Sequence, residues 1–151
     1  MLSRRAKYAL KAMIALASHR GEEPLSVTDM AAKANVPRSF LEQIVSDLKR
    51  RNLLVSSRGK QGGFRLARPA DEISFADVIR PIDGPLALAP CASRTAYRPC
   101  PECGGLRPCI LSKTLISVRD ASAKILENTT LADVSTARAA KRRRLKSYYS
   151  D

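Results

Sequence analysis

Four cysteines stand close together as Cys91-x8-Cys100-x2-Cys103-x5-Cys109, and the rest of the chain has none. Thiolates gathered in one short stretch suit a soft metal or an iron–sulfur cluster. Three chemistries are open to them: a cluster, a structural zinc site and a thiol redox switch. The spacing departs from the paired CxxC…CxxC of a zinc ribbon, which counts against zinc. The single histidine, His19, lies far from these cysteines and reads as a surface residue at a helix end. Residues 85–108 also hold five of the nine prolines. Such a segment is expected to form no regular structure and to have little to bury. A bound metal centre is one way to order it.

Elements around this loop must position it and give it something to control. At 151 residues the chain has the length of one domain. The net charge of +13 implies a polyanionic partner, nucleic acid before an anionic membrane. No run of 18 apolar residues exists, so no membrane span is expected. Residues 9–17 are apolar but contain Lys11, and helical periodicity explains them better than a signal peptide. The cysteines are therefore expected in a reducing cytoplasm, where metal or redox chemistry outweighs a structural disulfide framework. No catalytic triad, phosphate loop, dinucleotide fingerprint or metalloprotease helix can be read, and the chain is not expected to be an enzyme.

Residues 3–19 predict a helix with Tyr8, Ala12, Ala15 and Leu16 on one side, ending by Gly21. Arg4, Arg5, Lys7 and Lys11 crowd its first half, against the helix dipole, either as a phosphate-contacting face or as a solvated one. Ser26 with Asp29 three residues on predicts a capped start for a short amphipathic helix carrying Val27, Met30, Ala31 and Ala34. After Asn35-Val36, Pro37 suits the first turn of a second helix with Leu41, Ile44, Val45 and Leu48 inward. Two short helices about a tight turn predict a helix-turn-helix. The second helix would expose Arg38, Ser39, Gln43, Ser46, Asp47 and Arg50, with its N-terminal residues nearest base edges. Strand patterns at 53–58 and 64–67 flank the loop Gly59-Lys60-Gln61-Gly62-Gly63. They predict a hairpin bearing Arg58, Lys60, Arg65 and Arg68, a basic wing.

Ser74-x-x-Asp77 predicts another capped helix, with Phe75, Val78 and Ile79 inward and Pro81 and Pro85 as its terminators. Beyond the cysteines, a helix is predicted from Ile110 to about Glu127. Its Leu111, Leu115, Val118, Ser122 and Ile125 alternate four- and three-residue steps, a coiled-coil-like seam that fits a second copy of the chain. Residues 138–146 form a basic tail, expected to be disordered and to add affinity for DNA without specificity.

The stretch PRSFLEQIVSDLKRRNLLVSSRGKQGGFRLARP resembles the DNA-binding head of the Rrf-two family of bacterial transcription regulators, and ILENTTLADV is similar to that family's ending. The likeness covers roughly residues 1–134. It implies a homodimeric winged helix-turn-helix regulator that binds a double-stranded DNA operator, with its long C-terminal helix exchanged between subunits. It implies base contacts at Arg38, Ser39 and Arg58, and operator choice tuned at Glu42. It also implies an iron–sulfur cluster in the cysteine loop, on Cys91, Cys103 and Cys109. Where some members use a histidine as the remaining ligand, this chain has Ser112. Others use an acid of the partner's first helix, and no acid precedes Glu22 here. Cys100 is the candidate for that place.

The expected architecture is mainly α with a small β-hairpin. Residues 1–84 form the winged head, 85–109 the sensor loop, 110–134 the dimerisation helix with the segment after it, and 135–151 the tail. The candidate DNA-binding residues are Arg38, Ser39, Glu42, Arg58, Gly59, Lys60, Gly62 and Gly63. The candidate cluster ligands are Cys91, Cys100, Cys103 and Cys109, for either a 2Fe–2S or a 4Fe–4S cluster. The expected function is that of a regulator, repression before activation, whose operator binding follows cluster state. A thiol switch on the same fold and a zinc-stapled DNA-binding or adaptor protein are the alternatives.

Overall fold

The computed structural model describes residues 2–21, 23–59, 62–101, 109 and 111–135. It is mainly helical with one two-stranded hairpin. The order is α1 (Arg4–Ala17), α2 (Val27–Ala34), α3 (Arg38–Arg50), β1 (Leu54–Ser57), β2 (Gly63–Leu66), α4 (Phe75–Asp83) and α5 (Ser112–Asn128), with short 3-10 turns at Ala70–Glu72 and Pro90–Ala92.

α1 is the centre of the head. It packs on α2, α3, α4 and β2. Ala6, Ala9, Leu10, Ala12, Met13, Ala15 and Leu16 are all buried on it. The buried face is wider than the side predicted from Tyr8, Ala12, Ala15 and Leu16, because four alanines let neighbouring backbones come close. Ser3 caps the helix by accepting from the Ala6 N–H. The Ser3 N–H and hydroxyl both donate to the Asp83 carboxylate at the end of α4. The first and fourth helices are thereby stitched end to end.

The inward residues predicted for α2 and α3 are the buried ones, apart from a half-buried Val27. Asn35, at φ 51, ends α2 in the left-handed region that Asn tolerates. Its N–H and that of Val36 close the turn onto Ala32 and Ala31 carbonyls. Pro37 stands as the N-cap of α3 rather than inside its first turn. Leu41, Ile44 and Leu48 are fully enclosed. Burying each of these side chains contributes about 1.5–3 kcal/mol.

β1 and β2 pair antiparallel with Leu54 opposite Leu66 and Ser57 opposite Gly63. Leu25 adds one rung, exchanging both backbone hydrogen bonds with Phe64 at 3.1 and 2.8 Å. That rung explains Gly63: a Cβ there would lie 2.5 Å from the Leu25 carbonyl oxygen. Gly59 sits at φ +115, where a side chain would be strained.

α4 opens with the predicted capping box, Ser74 and Asp77 each bonding the other's backbone N–H. Its end differs from expectation. Pro81 lies inside the helix, which runs on to Asp83 and stops at Gly84. Proline removes one N–H, and here only Ile82 and Asp83 follow it before the Gly84 N–H closes the last turn on the Arg80 carbonyl. Nor does the cysteine-bearing segment lack burial: Ala92 and Ser93 are enclosed at its start. A short 3-10 turn packs there on α5.

α5 begins at Ser112 and itself buries no residue fully. It leans on α4, where Arg80 pairs with Glu127. The segment after it returns to the head of the same chain. The Phe75 N–H donates to the Thr129 carbonyl and the Leu131 N–H to the Ile73 carbonyl, each at 2.9 Å. Leu131 is fully buried in the head's core. The basic tail at 138–146 lies outside the described residues.

Candidate functional site

The exposed side of α3 carries Arg38, Ser39, Glu42, Gln43, Ser46 and Arg50. Its opposite side is nailed to the core by four buried aliphatic residues, so these polar groups are held at fixed height above the head. Arg38 Nε donates to Glu42 Oε1 at 3.0 Å one turn on. Both side chains remain more than half exposed. The pair is therefore a weak surface one, and either side chain can leave it for another partner at little cost.

Asp47 belongs to the fold instead. It is 13% exposed and accepts from both Arg5 of α1 and Arg50 of α3. Of the four basic residues crowded at the start of α1, Arg5 is thus engaged across the core edge, while Arg4, Lys7 and Lys11 are exposed.

The wing projects from the C-terminal side of α3 through Asn52, at φ 55. Arg58, at its tip, is exposed, as are Arg65 and Arg68 nearer its base. The Gly62 N–H donates to the Gly59 carbonyl at 2.9 Å and closes the tip. Lys60 falls outside the described residues. Gly59, Gly62 and Gly63 have structural work in this turn: a Cβ on Gly62 would lie 2.8 Å from the Ser57 carbonyl oxygen. The helix-turn-helix and the wing together make one cationic surface of the kind that meets phosphate and base edges at once.

A second candidate site lies in the segment between α4 and α5. Cys91, Cys100 and Cys109 are each half-buried, and Cys103 is outside the described residues. Among the described residues no three His, Cys, Asp or Glu side chains converge as a metal group. The chemistry of the donor set suits an iron–sulfur cluster. The Ser112 hydroxyl donates to the Cys109 carbonyl at 2.9 Å at the start of α5. His19 is remote, bonded through Nε2 to the Glu23 carbonyl.

Arg119 of α5 reaches into the start of the loop. Its side chain is 12% exposed. It donates to the carbonyl of Ala92, next to Cys91, and pairs with Asp120, which Arg94 also meets at 3.2 Å. Sequence reading did not single out Arg119, because a charged residue on a helix carries no sign of burial when its acceptor is a backbone carbonyl 27 residues away. Phe40 was missed for a different reason. Helical periodicity assigns the apolar positions around Leu41 to the core, yet Phe40 is 48% exposed.

A family model described as Rrf2, iron-dependent transcriptional regulator, matches residues 2–137. The chain belongs to the Rrf2 family. An rrf2-like HTH-type transcriptional regulator of Rhodobacter capsulatus is 35% identical over 140 residues, spanning 91% of this chain and 93% of that protein. Among solved structures, CymR, the global cysteine regulator of Bacillus subtilis, superposes with a TM-score of 0.73 at 32% identity over 91% of this chain and 97% of its own. IscR of T. potens superposes at 0.72 with 27% identity, covering 91% and 87%. The Rrf2 chain described here is thus a DNA-binding transcriptional regulator. No helix among its described residues is long and apolar enough to cross a membrane.

Proposed function

We propose that this Rrf2 protein is a cytoplasmic homodimeric repressor whose operator binding is controlled by an iron–sulfur cluster held in the loop at 91–109. The observation that carries the reading is the concentration of every cysteine in one loop leading into α5, in a family described as iron-dependent. Cys91, Cys100, Cys103 and Cys109 would hold the cluster, with Cys100 as the fourth thiolate. When bound, a cluster supplies a centre whose integrity depends on iron, oxygen and nitric oxide.

The rest is the work of the chain. Leu111, Val118 and Ile125 expose apolar surface along α5, and a second copy would cover it. Pairing through α5 would present two α3 helices to major grooves one turn apart, about 34 Å. Arg38, Ser39 and Glu42 would face base edges, while Arg58 with Lys60 would follow the wing to the minor groove. Arg4, Lys7, Lys11 and the tail at 138–146 would add phosphate contacts. Arg119 keeps the turn beside Cys91 seated on α5, so ordering of the loop reaches the pairing helix directly. Divisions at 84, 109 and 134 follow from these roles.

Protein purified without oxygen should be brown, with iron and sulfide, and should differ from the apo form in operator affinity. Cys91→Ala, Cys103→Ala and Cys109→Ala should each lose the colour, and Cys100→Ala tests the four-thiolate set. Colourless protein holding one zinc per chain, with operator affinity indifferent to iron, would overturn the cluster reading. A thiol switch is the second reading, favoured by the lack of a converged metal group among the described residues and by the likeness to CymR, whose Staphylococcus aureus relative is known in an oxidized form. It requires iron-free protein whose operator affinity changes on oxidation and returns with a dithiol reductant.

A further inference from the structure

Phe40 has no part in closing the core. Leu41, Ile44, Val45 and Leu48 fill the inward side of α3, while the Phe40 ring stays 48% exposed in the first turn of the helix. Single exposed apolar residues are common on protein surfaces. Two features set this one apart. It stands beside Arg38 and Ser39, at the end of the helix that enters the groove. It is also held in place: the Tyr8 ring of α1 meets it edge-on, with centroids 5.7 Å apart and planes at 71°. An aromatic pair of this kind fixes orientation beyond mere burial. Tyr8 is itself seated on the head's core, so the Phe40 ring is presented rather than loose.

Arg38 and Glu42 can read donors and acceptors. A phenyl ring can do neither. The apolar feature that base pairs offer in the major groove is the C5-methyl of thymine. We infer that Phe40 is a specificity residue that packs on a thymine methyl in each half-site, and that Tyr8 is its positioning residue. The inference rests on α3 as the groove helix and needs nothing from the cysteine loop.

The test begins with the full chain and selection of its operator from random duplexes. Each thymine of that operator is then replaced singly by deoxyuridine, which removes the methyl and leaves the hydrogen-bonding edges intact. Binding is read by fluorescence anisotropy at fixed salt. At one thymine per half-site, uracil should weaken the wild type about fourfold, the fold-change equivalent to ~0.8 kcal/mol for one buried carbon group. Phe40→Ala should bind the thymine and uracil duplexes alike, while still preferring the operator over random DNA through Arg58. Tyr8→Leu should shrink the methyl effect without abolishing operator binding. If Phe40→Ala melts below the assay temperature, Phe40→Gln takes its place with the same expectation. Methyl sensitivity that is absent from the wild type, or equal in wild type and Phe40→Ala, overturns the inference and leaves the DNA-binding reading standing. A chain that selects no sequence overturns both.

Discussion

The head and α5 solve the same packing problem in opposite ways. In the head, short helices that could not stand alone bury Met13, Met30, Leu41, Ile44 and Leu48 against one another. α5 is the longest helix described, yet it encloses none of its residues and leaves Leu111 and Ile125 about two-thirds exposed. The head is therefore a unit completed by its own sequence. α5 carries apolar surface beyond what the described residues cover. Substitutions should divide accordingly, with effects on folding in one region and on assembly in the other.

The largest effect should come from the open helix. Replacing Leu115 and Val118 together with Asp would bury charge at the seam of a pair. Analytical ultracentrifugation should then find a folded monomer, and binding to the palindromic operator should lose cooperativity. A dimer that survives with its heads folded would mean that α5 is not the pairing surface. Next comes the closed core. Leu41→Ala should cost about 2–5 kcal/mol of unfolding free energy in urea titrations. That loss should be independent of protein concentration, whereas the Asp pair should act through concentration.

Arg58→Ala sharpens the comparison from the DNA side. It should leave folding and pairing untouched and reduce discrimination between operator and altered operator by about 1–3 kcal/mol, if the wing arginine reads a base. Competition binding at constant ionic strength would show it. Smaller still is Ser74→Ala, which removes the side-chain half of the α4 capping box. About 1 kcal/mol of thermal stability should go with it.

The smallest effect concerns pH. Hydrogen bonds from the Thr130 backbone and then its hydroxyl hold the Asp133 carboxyl below its ordinary value of 3.8. A carboxylate whose pKa falls on folding contributes stability above its unfolded value. That contribution drains as the pH drops from there through the folded value. Asp133→Asn should lose a small stability increment at neutral pH and flatten the acid limb of a stability-against-pH curve below pH 3.8, so that the two proteins converge in acid.

Much of the head was legible because its rules are local. Leu41, Ile44, Val45 and Leu48 announce their side by spacing alone, and Ser74 with Asp77 announces a cap. Gly59 and Gly63 mark a turn that few other residues would allow. The misses come from contacts distant in sequence. Pro81 reads as a stop, yet the chain needs two more residues before Gly84 releases it. Ser3 gives no sign that it will meet Asp83, nor Arg5 that it will meet Asp47. Alanines at 6, 9, 12 and 15 carry too little hydrophobic contrast to reveal how broadly α1 is enclosed. Of the candidate sites, the polar side of α3 and the wing follow local patterns, whereas the burial of Arg119 and the exposure of Phe40 depend on packing that no local pattern shows. The family resemblance, carried by residues 37–69 and by 125–134, agrees with the matched family.

The two backbone bonds at 129–131 make the C-terminal end of α5 a pivot set into the head, with Leu131 as its pin. The helix extends from that pivot for 17 residues, about 25 Å at 1.5 Å per residue. A rotation of about 10° about the pivot would therefore sweep the far end, which follows Cys109, through about 4 Å, as the length of the arm requires. Run in reverse under the proposed control, the same arm would turn a modest displacement at the cysteine end into a small rotation of the head.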